Sequence, residues 1–387
     1  SAGANGSATP ASQQIDHGAT ASFTVTPTVG YTAAGNAGSA ACGSVTNTGT
    51  NTWTAGPITG ACAVNFTFSQ NQYTVTPVVV GNGSVSPNSP QIVAHGQNTF
   101  FTLTPAANHR IASVTGCGGT LSGNNYLINN LQGSCSFTAT FELMTYSFGA
   151  AATSNGSIGI VNSPVVHGSA GEFTVTPATG YSTGTVSGTS ACNGVTNTGG
   201  VNWETGAITS SGCEISASFT INQYAVRVTT SGGNGTIGDP AGTDPVEQTV
   251  DYNTTASVRV TPAVGYSPVF GTPSVGSCSF SDPEQDQVWT SSAVTGNCTV
   301  NVSFAINVYT VNGSAVGNGS ITPSRSIQHN DFGLFVLSPN SGHVVDTVTD
   351  DCGAAGAANG SLLSATQYSV GPITGACTVT ATFIPEP

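Results

Sequence analysis

Ten cysteines are the residues of this chain best able to do chemistry. Thiolates can bind zinc, react as free nucleophiles, or oxidise to disulfides. No C-x-x-C spacing occurs, which argues against a structural zinc site. The cysteines instead recur in pairs about 20 residues apart, and a disulfide closing such a loop contributes about 3 kcal/mol. The predicted disulfides are Cys42–Cys62, Cys117–Cys135, Cys192–Cys213, Cys278–Cys298 and Cys352–Cys377.

The predicted disulfides also bear on location. Disulfides persist in oxidising compartments, so the chain is expected to be secreted, outside the cell, at its surface or in a periplasm. Free thiols are the alternative, but they give no reason for matched positions along the chain. No signal peptide is visible, and Ser1 resembles the start of a processed chain.

Histidines form a second set at one equivalent position, directly before Gly or Asn. A metal site or a catalytic site would need partner residues converging on each of them, and the sequence shows none. Tyr252 takes the same place in a fourth copy. We therefore predict turn residues at His17, His95, His167 and His329.

Carboxylates gather in two places. The alternation within them is similar to a calcium loop, but the turn glycine and the terminal bidentate glutamate are missing, so we predict solvated loop charge and no metal. No nucleophile elbow or phosphate loop is present either, so we expect neither an enzyme nor a cofactor. The two groups are Asp239, Asp244, Glu247, Asp251, Asp282, Glu284 and Asp286, and then Asp346, Asp350 and Asp351.

Composition limits the partners. Charged residues make up 5% of the chain, lysine is absent and the net charge is -13. An acidic chain without basic patches is poorly suited to nucleic acid or to an anionic membrane. No apolar run approaches the roughly 20 residues of a membrane span. A surface of hydroxyls, amides and glycine repels its own kind weakly, so copies of the chain itself are the expected partner.

The elements that position the cysteines emerge from one recurring stretch. In WTAGPITGACAVNFTF (53–68), alternation places Cys62, Val64, Phe66 and Phe68 on one face of an extended strand. The same pattern occurs five times, which predicts tandem small β domains. The other copies are YLINNLQGSCSFTATF (126–141), WETGAITSSGCEISASF (203–219), WTSSAVTGNCTVNVSF (289–304) and YSVGPITGACTVTATF (368–383).

Other segments recur in a constant order within each repeat. A tyrosine-led strand such as YTVTP (73–77) precedes an Asn-Gly turn, which is typical of a hairpin. These turns also match the N-glycosylation acceptor pattern, and that alternative stays open. A later strand ends at a proline, as in FTVTP (23–27). Aromatic residues such as Trp53, Trp203 and Trp289 are predicted to pack beside the disulfides, with sugar stacking as the alternative.

Repeat spacing sets the predicted domains: 1–70, 71–143, 144–221, 222–306 and 307–387. Each is expected to be β-grasp-like or β-sandwich-like with one disulfide. The short joints between them predict a stiff rod. Repeat 1 lacks most of its first strand, which should leave an exposed sheet edge for another chain. The residues expected at inter-subunit contacts are Ser1, Ala2, Gly3, Ala4, Ile384, Pro385, Glu386 and Pro387.

All five repeats resemble a family of bacterial cell-surface domains, the divergent internalin B-repeats. The resemblance depends on the tyrosine-led strand, FTVTPTVGY (23–31), GNGSVSP (81–87) and PITGACTVTATF (372–383). It implies small β-rich modules strung along secreted or surface-attached proteins, and it implies no catalytic residues.

Two functional hypotheses follow. The first is an extracellular structural protein, a subunit of a filament or surface fibre that polymerises head-to-tail or laterally. The alternative is a monomeric stalk or adhesin that binds a glycan or a host surface through the variable loops between paired cysteines.

Overall fold

The computed structural model describes residues 1–238 and 246–387. These residues form β-strands and three short 3-10 turns, with no α-helix among them, and none of their helical segments could cross a membrane. The chain divides into two compact units. One comprises 1–150, 160–173 and 188–215, and the other comprises 151–159, 174–187 and 216–387. The 3-10 turns are Ala40–Cys42, Ser190–Cys192 and Ala354–Gly356.

Repeat 1 contains six strands. They are β1 (Gly6–Thr9), β2 (Ala21–Pro27), β3 (Tyr31–Ala37), β4 (Ser44–Asn47), β5 (Thr52–Gly56) and β6 (Val64–Gln70).

Repeat 2 shows the complete architecture of a repeat, two four-stranded sheets. Its strands are β7 (Gln72–Val80), β8 (Gly83–Ser86), β9 (Gln91–Ala94), β10 (Thr99–Pro105), β11 (His109–Gly116), β12 (Thr120–Ser122), β13 (Asn125–Ile128) and β14 (Cys135–Leu143). One sheet has the order β11-β14-β7-β9 and the other β12-β13-β10-β8. The first and last strands, β7 and β14, run parallel at the centre of their sheet, with Val75 opposite Cys135.

The core of repeat 2 forms between the facing sheets. Alternation along β14 buries Phe137, Ala139 and Phe141, as the period-two pattern predicts. They pack against Phe101 and Leu103 of β10 in the other sheet. This arrangement is a β-sandwich, so of the two predicted alternatives the described residues adopt the sandwich.

Repeat 3 carries more and shorter strands. They are β15 (Thr145–Tyr146), β16 (Gly149–Ala150), β17 (Gly156–Ile160), β18 (Val165–Val166), β19 (Ala170–Pro177), β20 (Tyr181–Gly188), β21 (Val195–Gly199), β22 (Asn202–Ala207) and β23 (Glu214–Ile221). Its β16 pairs in parallel with β23, and β21 pairs antiparallel with β22.

Repeat 4 returns to two four-stranded sheets, in the orders β28-β31-β24-β26 and β29-β30-β27-β25. Its strands are β24 (Gln223–Thr230), β25 (Gly235–Gly238), β26 (Val246–Asp251), β27 (Ser257–Pro262), β28 (Tyr266–Phe270), β29 (Phe280–Ser281), β30 (Val288–Ser291) and β31 (Cys298–Ile306).

Repeat 5 has the same arrangement, in the orders β36-β39-β32-β34 and β37-β38-β35-β33. Its strands are β32 (Val308–Gly317), β33 (Gly319–Ile321), β34 (Ser324–Gln328), β35 (Gly333–Pro339), β36 (His343–Asp350), β37 (Gly360–Ser364), β38 (Gln367–Val370) and β39 (Cys377–Pro385).

Repeat 1 departs from this architecture in one sheet. Its β4-β5-β2-β1 sheet is complete, but the facing sheet contains only β3 and β6. The place of a first strand is held by a single parallel bridge between Ala2 and Phe66. Among the described residues of this repeat, no strand therefore pairs in the places that β7 and β9 hold in repeat 2.

One disulfide per repeat, as predicted, links the start of the last strand, or a residue just ahead of it, to the segment that follows β3, β11, β20, β28 or β36. The bonds are Cys42–Cys62, Cys117–Cys135, Cys192–Cys213, Cys278–Cys298 and Cys352–Cys377. The hairpin prediction at the Asn-Gly turns was wrong. Strands β7 and β8 flank such a turn but belong to different sheets, so the turn carries the chain across the sandwich.

Candidate functional site

The joints between repeats are the most regular polar feature of the described chain. A single residue separates the last strand of one repeat from the first strand of the next. These linking residues are Asn71, Met144, Asn222 and Asn307. So short a connection leaves the backbone little freedom to act as a tether.

Asn71 is bonded to both of the repeats it joins. Its backbone N–H donates to the Gly30 carbonyl of repeat 1 at 2.8 Å, and its own carbonyl accepts the His95 N–H of repeat 2 at 2.8 Å. Asn222 and Asn307 make the equivalent pairs of bonds, each at 2.8 Å. The side-chain oxygen of Asn71 also accepts a bond from the Thr32 hydroxyl at 2.5 Å.

A ring packs over a glycine at three of the joints. Gly30 has φ +86°, and a Cβ built there would lie 2.1 Å from the His95 ring. The same contact would be 2.0 Å between Gly180 and Tyr252, and 2.0 Å between Gly265 and His329. Glycine is required for two reasons, the left-handed backbone and the ring directly above it.

The joint between repeats 2 and 3 has the same backbone hydrogen bonds as the other joints, but different residues make them. Met144 donates its N–H to the Asn108 carbonyl at 2.8 Å and accepts the His167 N–H at 2.7 Å. Asn108 takes the glycine position with φ +62°, a conformation that asparagine tolerates. The backbone exchange is thus the constant part of the joint.

The recurring histidines occupy turns, and the structure adds a role that sequence reasoning missed. His95, His167 and His329 are half-buried at the joints, whereas His17 is exposed. The missed signal was a pair of positions that recur at a similar spacing along the chain. Each joint ring follows one Gly-Tyr or Asn-His dipeptide in the preceding repeat, such as Gly30-Tyr31.

Repeat 5 carries one half of a further joint. The Glu386 N–H donates to the Gly342 carbonyl at 2.9 Å, as Asn71 does to Gly30. Gly342 has φ +78°, and a Cβ built there would have no neighbour within 4 Å. Among the described residues, Gly342 thus has the geometry of the glycine side of a joint, and His17 holds the position of the joint ring in repeat 1.

A groove of about 610 Å³ lies where repeat 1 lacks strands. Its apolar lining includes Ile15, Phe23, Ile58, Val64 and Phe66.

The bridge between Ala2 and Phe66 fixes the register of the groove. In repeat 2 the matching pair is Val79 and Ala139, because Ala139 and Phe66 each lie four residues after the second cysteine of their repeat. Ser1 therefore matches Val78, and the positions equivalent to Tyr73 to Pro77 lie ahead of Ser1.

The residues predicted at inter-subunit contacts lie near the groove of repeat 1 or near the half-joint of repeat 5. Ser1 and Gly3 bond to β6 of their own repeat, with the Ser1 backbone nitrogen donating to the Val64 carbonyl at 2.6 Å. Ala2 forms the bridge to Phe66, and Ala4 lies in the turn before β1. Ile384 and Pro385 lie in β39 and pair with β36. Glu386 belongs to the half-joint, and Pro387 is exposed. Their inter-subunit role stays a prediction.

The tryptophans pack inside their repeats. Trp53 is 9% exposed and meets the Phe66 ring edge-on at 5.7 Å. Trp289 lies 4.7 Å from the Phe270 ring, and Trp203 stacks on Phe173 at 6.4 Å. Core packing accounts for all three indoles.

The carboxylates behave in two ways. Asp282 accepts N–H bonds from Asp286 and Gln287 at 3.2 and 3.0 Å, so it closes its own exposed loop. Asp239 and Asp244 lie outside the described residues. Among Asp351, Cys352 and Cys377, which lie close together, only the carboxylate is free to bind a metal because the cysteines form a disulfide.

The prediction of solvated loop charge was wrong for Asp350. This half-buried residue ends β36 and accepts N–H bonds from Cys352, Asn359 and Gly360 at 3.0, 2.7 and 3.0 Å. It also accepts the Tyr368 hydroxyl. Burial and this bond together raise the pKa of Tyr368 well above its ordinary value of 10.0. Asp350 is a structural acceptor that organises the loop after β36.

Solved structures offer loose matches. The Bacillus anthracis TIE protein is 11% identical at a TM-score of 0.28, over 74% of this chain and 60% of that one. The pilus adhesin SpaC from Lactobacillus rhamnosus GG, in its open conformation, is 9% identical at a TM-score of 0.14. That match covers 92% of this chain and 54% of the adhesin. The chain thus spans less than two thirds of either protein. No curated protein matches the sequence.

The family comparison agrees with the repeat pattern. The profile of the family described as "Divergent InlB B-repeat domain" matches residues 73–145 and 309–387, which fall on repeats 2 and 5. Five disulfides and domains of this type suggest an extracellular location. The chain is a tandem β-repeat protein whose second and fifth repeats match the model of the divergent InlB B-repeat domain.

Proposed function

We propose that the chain is a secreted structural protein, a subunit of an extracellular filament or surface fibre that assembles from copies of itself. The observation that carries this proposal is the repeated joint, whose two sides recur in repeats 5 and 1. Gly342 and Glu386 offer the glycine side, and His17 offers the ring side.

The joints support a load-bearing role. Each linking residue is held by backbone bonds to both neighbours, and at three joints a ring is packed on a glycine with no room for a side chain. Bending such a joint would break these bonds and open the packed contact. A disulfide in every repeat adds a covalent link within the module.

The two half-joints support assembly end to end. The linking residue of the internal joints is an uncharged Asn or Met, whereas Glu386 holds the equivalent position in repeat 5. A carboxylate can accept a hydrogen bond from the imidazole N–H of His17 in the next copy. The weakly charged surface leaves little repulsion between copies.

Electron microscopy of native material under non-reducing conditions tests the proposal. Continuous fibres with an axial repeat near the length of five domains are expected. Discrete particles, at concentrations where a filament should persist, would contradict it and favour the monomeric stalk or adhesin, for which a glycan screen is the next experiment.

A further inference from the structure

Met144 is the only methionine of the chain, and it links repeat 2 to repeat 3. Thioethers and free thiols are the side-chain sulfur groups that peroxides oxidise. All ten cysteines form disulfides, so no free thiol competes with Met144 for an oxidant. Met144 is 37% exposed, so small molecules in solution can reach its side chain.

The other three joints have a strong oxygen acceptor on the side chain of the linking residue. Each linking asparagine accepts a hydrogen bond through its side-chain oxygen from a hydroxyl group of the preceding repeat. The pairs are Asn71 with Thr32 at 2.5 Å, Asn222 with Ser182 at 2.5 Å, and Asn307 with Ser267 at 2.6 Å. In repeat 2 Arg110 takes the place of the hydroxyl residue, and it pairs with Glu142. The joint at Met144 therefore lacks this side-chain bond.

The Met144 sulfur makes a weaker contact instead. The Tyr146 hydroxyl donates to Met144 Sδ at 3.6 Å, and a thioether is a weak acceptor. The equivalent tyrosine of repeat 2, Tyr73, has its hydroxyl 3.4 Å from Nδ1 of His95. Nδ1 of His167 is buried without a partner among the described residues. The Tyr146 hydroxyl is thus directed to the sulfur and not to the imidazole.

We propose that Met144 is a site of oxidation, at which a peroxide converts the thioether to a sulfoxide and the new oxygen strengthens the joint. The sulfur gives an electron pair to one oxygen of hydrogen peroxide. The O–O bond breaks, the S–O bond forms, and the other oxygen leaves as water. The sulfur loses two electrons and the peroxide gains them, so no further reactant is needed.

The position of Met144 decides the direction of the effect. A sulfoxide in a packed core is disruptive because it places a polar group among apolar side chains. Met144 is exposed, so the new oxygen stays in contact with water and costs little desolvation. A sulfoxide oxygen accepts the Tyr146 hydroxyl at ordinary hydrogen-bond length, more strongly than the sulfur does. The joint then has a side-chain oxygen acceptor, as the three asparagine joints do.

Treatment of the full chain with hydrogen peroxide tests the proposal. Mass spectrometry should show one added oxygen, and peptide mapping should place it on Met144. The amides of Met144 and His167 bond across this joint, and their hydrogen exchange should slow about three- to tenfold, the effect of one stronger hydrogen bond. The amides of Asn71 and His95 bond across the joint between repeats 1 and 2, and they should keep their rates.

Three variants separate the sulfur, the oxygen and the donor. Met144→Leu has an apolar side chain of similar volume without sulfur, so peroxide should change neither its mass at this position nor its exchange. Met144→Gln carries a side-chain oxygen from the start, so exchange at the His167 amide should be slow without peroxide. Tyr146→Phe allows the sulfoxide to form but removes its donor, so exchange should not slow. Circular dichroism checks that each variant is folded.

Two results on the unaltered chain, which need no variant, would overturn the proposal. One is that peroxide oxidises Met144 in the denatured chain and leaves it unoxidised in the folded chain. The other is that the sulfoxide forms while the Met144 and His167 amides exchange at the same rate or faster, because the new oxygen then makes no bond that holds the joint. Both are measured on dispersed chains, so neither depends on whether the chain forms fibres.

Discussion

At the residue scale, three of the joints pack a glycine of one repeat against a histidine or tyrosine ring of the next repeat. Gly30 could be recognised in the sequence as part of a Gly-Tyr pair, and His95 as a turn residue. Their contact could not, because it joins residues 65 positions apart through a joint whose geometry no local pattern encodes.

Replacing Gly30 by alanine tests this contact. The new Cβ would lie 2.1 Å from His95, so overpacking should cost about 1–3 kcal/mol. The left-handed backbone at φ +86° adds about 1–2 kcal/mol. Hydrogen exchange at the Asn71 and His95 amides should accelerate.

Gly18→Ala is the matched control for Gly30→Ala. Gly18 has φ +82° and no atom within 4 Å of a built Cβ, so it carries the backbone strain alone. Equal exchange at the joint amides in both variants would mean that the ring contact contributes nothing.

The raised pKa of Tyr368 predicts that the stability of repeat 5 depends on pH. Burial and its bond to Asp350 raise the pKa of the folded hydroxyl above the ordinary 10.0. As the pH rises past 10, the unfolded chain therefore loses this proton before the folded chain does. The contribution of the protonated Tyr368 hydroxyl to the free energy of unfolding is therefore complete below pH 10 and declines above it. Calorimetric unfolding from pH 8 to 11 should show this decline, and Tyr368→Phe should reduce it. An identical profile in that variant would assign the dependence to other groups.

At the scale of elements, sequence alternation located the strands that carry a full apolar face. Strand β14 was predicted from Cys135 to Phe141, and β2 and β10 end at the prolines expected to end them. Strand β9 was missed because four residues are too few to show a period, and it forms only by pairing with β7. Strand β11 was taken for a variable loop because its register is set by β14, with a bulge after Ile111.

The groove was anticipated only in part. The incomplete first strand was visible because repeat 1 begins at its Asn-Gly turn. The shape of the site was not, because it arises from two sheets that face each other across Phe23 and Phe66. That arrangement is a tertiary property.

Removing one disulfide tests its contribution to a single module. Cys117→Ala with Cys135→Ala opens a loop with a sequence separation of 18. The chain-entropy model puts the loss at about 3 kcal/mol, or about 100-fold in the opening equilibrium. Hydrogen exchange of the slowest amides in repeat 2 should accelerate accordingly.

Repeat 5 of the same molecule is the internal control for this disulfide variant, because it keeps Cys352–Cys377. Acceleration in both repeats to the same degree would show that the modules do not open independently. No change in repeat 2 would show that packing alone holds it.

At the scale of the whole molecule, the proposal depends on one joint geometry being used both within and between copies. The surface offers few charges to direct lateral contacts, so we expect direction along a fibre to come from its end contacts. The glycine side at Gly342 and the ring side at His17 differ from each other, which makes their contact heterologous and able to propagate.

Gly342→Ala distinguishes assembly from folding. In the isolated chain a Cβ at this position meets nothing within 4 Å, so repeat 5 should bear only the strain of φ +78°. In a fibre the same Cβ would meet His17 of the next copy, at about the 2.0–2.1 Å seen for Gly30, Gly180 and Gly265. A clash of that size forces the two copies apart, so fibres should become shorter or disappear while the monomer keeps its circular dichroism spectrum. Gly123→Ala, at φ +58° with no atom near a built Cβ, controls for the backbone strain and should leave fibre length unchanged. If Gly342→Ala fibres were as long and as abundant as those of the unaltered chain, the half-joint would not be the contact between copies, and a lateral contact would have to carry the fibre.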